Sequence, residues 1–84
     1  YTLTDDDDVI LVDCTGGAVT ITLHAAATAK QKPYIIKKID SSANALTIDG
    51  NASETIDGAT TKSTTIQYTS YTIVPNNAGE WSIV

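Results

Sequence analysis

Apolar and polar residues alternate most cleanly over residues 18–23, where Val19, Ile21 and Leu23 fall on one side and Thr20 and Thr22 on the other. A period of two marks a strand with one buried face. Just upstream, Val9–Val12 is apolar at every position, which predicts a strand covered on both faces. Thr15-Gly16-Gly17 between the two segments predicts a hairpin with a short loop. Residues 34–39 predict a further strand, opened by Pro33, where a missing N–H does no harm. Its faces are mixed: Ile35 and Ile39 share one with Lys37, while Tyr34 and Ile36 share the other with Lys38. That mixture places both lysines at a sheet edge or a subunit boundary. Residues 46–48, 64–68, 71–74 and 81–84 complete the strands. Residues 25–30 are too short for a stable helix and read as a connection with one helical turn.

Turn residues separate these segments at short intervals, at Gly16-Gly17, Pro33, Asp49-Gly50, Asp57-Gly58 and from Pro75 to Gly79. Isoleucine, valine, threonine and tyrosine suit a pleated surface better than a helix. The fold class is therefore all-β, a small sandwich, barrel or prism of seven to nine short strands in one domain covering residues 1–84. Thr47-Ile48-Asp49-Gly50 recurs as Thr55-Ile56-Asp57-Gly58. Two copies do not make a solenoid, and they read as two strand ends entering Asp-Gly turns. The other reading is a local coil like one rung of a β-helix.

A chain of 84 residues buries only roughly 60–65% of its unfolded surface, which leaves its own core small. Such domains gain stability from disulfides, metals or subunit contacts. Cys14 is the sole cysteine, so an internal disulfide and a thiolate cluster are excluded, and oligomerisation is the expected route. The net charge is −5, and the basic residues are five lysines with no arginine. A nucleic-acid reader presents a basic face, so that class is disfavoured. No apolar run is long enough to span a membrane, and none follows a basic start as in a signal peptide. The first residue is Tyr1, which suggests a piece cut from a longer protein.

Candidate chemistry is sparse. Asp5 to Asp8 could offer oxygens to a cation, but no glycine or spaced glutamate completes a binding loop, and a solvated turn is the simpler reading. Cys14 and His24 would form a nucleophile and base only if the fold joined them. Asp13, Asp40, Asp49, Glu54 and Asp57 supply carboxylates for a hydrolytic pair, mostly in turns. Tyr68, Tyr71 and Trp81 could stack on a sugar such as a host surface glycan, or pack in the core with polar tips at the rim. No catalytic group, cofactor or metal is expected from this set.

The succession Asp8-Val9-Ile10-Leu11-Val12-Asp13, Ala18-Val19-Thr20-Ile21-Thr22-Leu23 and Tyr34-Ile35-Ile36-Lys37-Lys38-Ile39-Asp40 resembles a short module recurrent in phage structural proteins. It continues through Ala45-Leu46-Thr47-Ile48-Asp49 and Glu54-Thr55-Ile56-Asp57-Gly58 to a closing strand carrying Trp81, so it spans nearly the whole chain. Modules of that kind occur in tail fibres, tailspikes and related virion proteins. The resemblance implies a homotrimer with β-structure around a threefold axis. It implies a role in trimerisation, host attachment or decoration of a fibre or capsid, with no catalytic residues. His24 and Gln31 depart from the proline and glycine common at those places. Val19, Ile21, Leu23, Tyr34 and Ile36 are expected as core or interface residues, and the mixed faces of residues 34–39 suggest that Lys37 and Lys38 pair with acids of a neighbouring subunit.

Overall fold

The computed structural model describes residues 1–76 and 78–84. Strands β1 (Val9–Val12), β2 (Val19–Thr22), β3 (Tyr34–Lys38) and β4 (Leu46–Asp49) occupy the first half. The second half carries β5 (Thr55–Ile56), β6 (Thr61–Thr64), β7 (Ser70–Pro75) and β8 (Glu80–Ile83). They form two sheets, one of order β1-β3-β7-β8-β5 and one of order β2-β4-β6. The all-β expectation is thus met, with no helix among the described residues.

The chain winds between the sheets. β1 pairs in parallel with β3, and β2 in parallel with β4, so successive strands alternate from one sheet to the other. Parallel partners need such a crossover, because a tight turn joins only antiparallel neighbours. This corrects the expected hairpin: β1 and β2 lie in different sheets, and the turn between them crosses from one sheet to the other. Its geometry is set by Asp13, whose carboxylate accepts the N–H and hydroxyl of Thr15, and by the Gly17 N–H donating to the Cys14 carbonyl. The last strands return antiparallel, β6 on β4, β7 on β3 and β8 on β7.

Inward residues of the two sheets meet in one core. Ile21, Leu23, Tyr34, Ile36, Leu46, Ile48, Ile56, Ile73 and Trp81 are all buried there. The register explains the sorting: Ile21 lies beside Ile48, Tyr34 beside Ile73, and Ile56 beside Trp81, each pair on an inner face. Each large aliphatic side chain so buried contributes about 1.5–3 kcal/mol. The polar stretch Thr61–Thr64 is a strand by its pairing with β4, whereas the strand expected over 64–68 overlaps it only at Thr64, and residues 65–68 form a bend and turn. Residues 25–30 form turns with a single i→i−4 bond, Ala29 N–H to Ala25 carbonyl, as a one-turn connection should.

The repeated Thr-Ile-Asp-Gly element ends β4 in one sheet and β5 in the other. Both copies run from a strand into a turn.

Candidate functional site

β1 departs from expectation on one face. Ile10 and Val12 point into the core, but Val9 and Leu11 are 54% and 61% exposed. β1 is an edge strand, and nothing among the described residues covers its outer face. The register continues that face across the sheet. Val9 lies beside Ile35 and Leu11 beside Lys37, with Thr72 and Ser70 next along. Ile39, Ile66, Tyr68 and Val84 are further exposed apolar residues of the molecule. The Lys37 ammonium sits 5.4 Å from the Tyr68 ring centroid, so that ring flanks the same face.

Beside this face lies an apolar groove of about 350 Å³, lined by Tyr1, Ile10, Leu11, Val12, Asp13, Val19 and Ile21. It opens between β1 and β2, the outermost named strands of their sheets on this side. Val19 is half-buried at this groove, whereas Ile21, Leu23, Tyr34 and Ile36 sit in the chain's own core.

Lys38 requires a correction. Its side chain is wholly buried, and its ammonium donates to Asp40 Oδ2 at 2.9 Å and to the carbonyls of Asp40 and Ser42 at 3.1 and 2.8 Å. It is paired within its own chain, not with an acid of a neighbour. Asp40 in turn accepts the Cys14 N–H at 2.8 Å, the Ser42 N–H at 3.1 Å and the Ser42 hydroxyl. Burial pushes the Asp40 carboxyl up, but the Ser42, Cys14 and Lys38 donors outweigh it and hold it well below the usual carboxylate range. β3 ends at Lys38 and Asp40 lies in the bend that follows, so the strand period gives no signal for this pair.

The acid run is an N-terminal strap. Asp5 accepts from His24 Nε2 at 2.8 Å and from the Lys30 N–H at 2.9 Å. The Lys30 amide, then His24, lower its carboxyl pKa. Asp7 binds the Tyr1 hydroxyl at 2.7 Å and the Thr4 N–H at 2.9 Å, which lower its pKa in that order. Asp8 pairs with Lys32 at 2.6 Å. Among the described residues no three His, Cys, Asp or Glu side chains converge as metal ligands would.

Cys14 and His24 belong to different clusters. Cys14 is fully buried, and burial followed by the Asp40 charge raises its thiol pKa, the reverse of an activated nucleophile. His24 packs against Tyr34 and Trp81, each ring centroid 5.5 Å away. The other carboxylates serve the fold: Glu54 accepts the Ala26 N–H and Asp57 the Ile83 N–H. The three aromatics do not form one platform. Trp81 is fully buried and offers no face to a sugar. Tyr71 is half-buried with its hydroxyl donating to the Ser63 carbonyl. Tyr68 alone of the three is exposed, at 63%.

No family model matches the chain, and neither does any curated protein or solved structure.

Proposed function

We propose that the chain is a non-enzymatic structural module of a phage virion, which trimerises through the outer face of its five-stranded sheet. In that role it holds a place in a tail fibre, a spike tip or a particle coat and serves host attachment there. The observation that carries self-assembly is the bare apolar face at Val9 and Leu11. Parallel strands that are apolar on both faces belong to sheets covered on both sides. This chain covers one side of β1, which leaves its outer face free to take a second surface. Exposed apolar patches of this kind mark protein contacts. The resemblance to phage modules supports the virion setting and the number three.

Absolute mass by light scattering after size exclusion, repeated across dilution, tests the reading. The expected result is a stable trimer that Leu11→Glu converts to a folded monomer. A native chain that is monomeric at every concentration overturns it.

A further inference from the structure

The outer face of the five-stranded sheet carries its two charges at opposite corners. Strand alternation sorts the residues. Ile36 on β3, Ile73 on β7 and Trp81 on β8 are buried in the core, so Lys37, Thr72 and Glu80 project outward. Among the strand residues on this face Lys37 is the one cation and Glu80 the one acid. Neither makes an ion pair among the described residues. The Lys37 ammonium lies over the Tyr68 ring, and the Glu80 carboxylate accepts the Thr55 hydroxyl at 3.2 Å.

The register keeps the two charges apart within one chain. Lys37 lies beside Ser70 and Ser82 beside Val74, so Glu80 stands six residues along the strands and two strands across from Lys37. At ordinary strand spacings that is about 20 Å by about 10 Å. Exposed apolar side chains accompany each end of the face. Val9 and Leu11 lie on the β1 side, Leu11 directly beside Lys37. Val84 lies on the β8 side, where its N–H donates to the Thr72 carbonyl.

The face therefore has two unlike halves, one apolar with a cation and one apolar with an acid. Contact between like halves sets equal charges against each other, whereas contact between unlike halves joins opposite ones. A ring closes when one half of each copy meets the other half of the next. Threefold rotation about an axis at right angles to the line joining the two charges brings Lys37 of one copy level with Glu80 of the next. Given the proposed trimer, on which this pairing rests, we infer that Lys37 of each subunit pairs with Glu80 of its neighbour, three times around the ring. The pair fixes which halves meet, and the apolar residues beside it close the contact.

Light scattering across dilution tests the pairing on the full chain with Lys37→Glu, Glu80→Lys and both together. Either single reversal is expected to raise the dissociation midpoint by about tenfold or more, and the exchanged pair to return it to within about threefold of the native value. Far-UV circular dichroism and recovery in the double variant separate lost pairing from lost folding. A native trimer that neither reversal weakens overturns the pairing and leaves the trimer standing. Two weakened single variants with no recovery in the double one overturn it as well. A native chain that is monomeric at every dilution removes the trimer itself, and the pairing with it.

Discussion

Lys38 Nζ lies 2.9 Å from Asp40 Oδ2, and both side chains are closed off from solvent. The pair joins the end of β3 to the turn after β1, because Asp40 also holds the Cys14 N–H and Ser42. A buried charge left without its partner is far more costly than the intact pair is stabilising. Lys38→Met should therefore destabilise the fold by about 3 kcal/mol or more. Urea denaturation checks this, and a loss within error of zero would show that the pair is not closed.

Carboxylates of this cluster and of the N-terminal strap together set an acid limit. Asp5, Asp7, Asp13 and Asp40 all have folded-state pKa values below their ordinary ones. A depressed carboxylate adds stability above its unfolded pKa, about 3.9, and that stability is lost as pH falls towards the folded value. Tm should thus hold from pH 7 to about pH 5 and fall steadily below about pH 4. Asp40→Asn should lower Tm at neutral pH and flatten the acid slope, which a pH series of thermal melts measures.

At the alkaline end the sign reverses. Burial, followed by the Asp5 charge, pushes the Tyr34 phenol up to about 12. Its neutral form is favoured by folding, so the contribution is complete below the unfolded value of about 10 and vanishes as pH rises through the folded one. Stability should fall between about pH 10 and pH 12, and less steeply in Tyr34→Phe, as read from urea midpoints across that range.

The two glycines of the repeated Thr-Ile-Asp-Gly element are needed for different reasons. A Cβ on Gly50 would stand 2.3 Å from the Glu54 carbonyl oxygen, which is backbone and cannot swing aside. Gly58 has open space around that position but a φ of 84°. Gly50→Ala should cost about 3 kcal/mol, as overpacking against fixed backbone does, and Gly58→Ala about 1 kcal/mol. Gly58→Asn should recover part of the loss and Gly50→Asn none. Equal costs in chemical denaturation would contradict the distinction.

The strands β1 to β4, β7 and β8 were legible in the sequence because side-chain direction has a period of two, and Ile21, Leu23, Tyr34 and Ile36 went where that period sends them; β5 is only two residues long and β6 is polar throughout, so neither carries that signal. Partners were not legible. Val9–Val12 and residues 18–23 are close in sequence with glycines between, yet alternation carries no information on which strand lies beside which. Here the Asp13–Thr15 contact shapes a crossover between sheets. Lys38 was misplaced because a lysine on a strand suggests water, and only the Asp40 carboxylate and two carbonyls make its burial tolerable. The groove was invisible for a related reason, since it is made by two strand edges that meet only once the chain has wound.

Tyr68 has a φ of 69° and an exposed ring, an unusual pairing for an aromatic residue. The left-handed region costs a bulky side chain about 1–2 kcal/mol, whereas asparagine tolerates it better. Its N–H donates to the Lys38 carbonyl at 2.7 Å, a bond that any residue but proline could make. The ring is therefore not kept for the turn itself; within the chain it meets the Lys37 ammonium, 5.4 Å from its centroid, and on the proposed assembly its exposed face is a candidate contact. Tyr68→Asn should leave the stability of the subunit unchanged or raise it by up to about 1 kcal/mol, while weakening the proposed trimer. Urea unfolding of the Leu11→Glu monomer background reads the first effect, and the dilution at which mass falls reads the second. If assembly is untouched but binding to a glycan array is lost, Tyr68 serves attachment rather than trimerisation. If neither changes, the ring serves only its contact with Lys37 inside the chain.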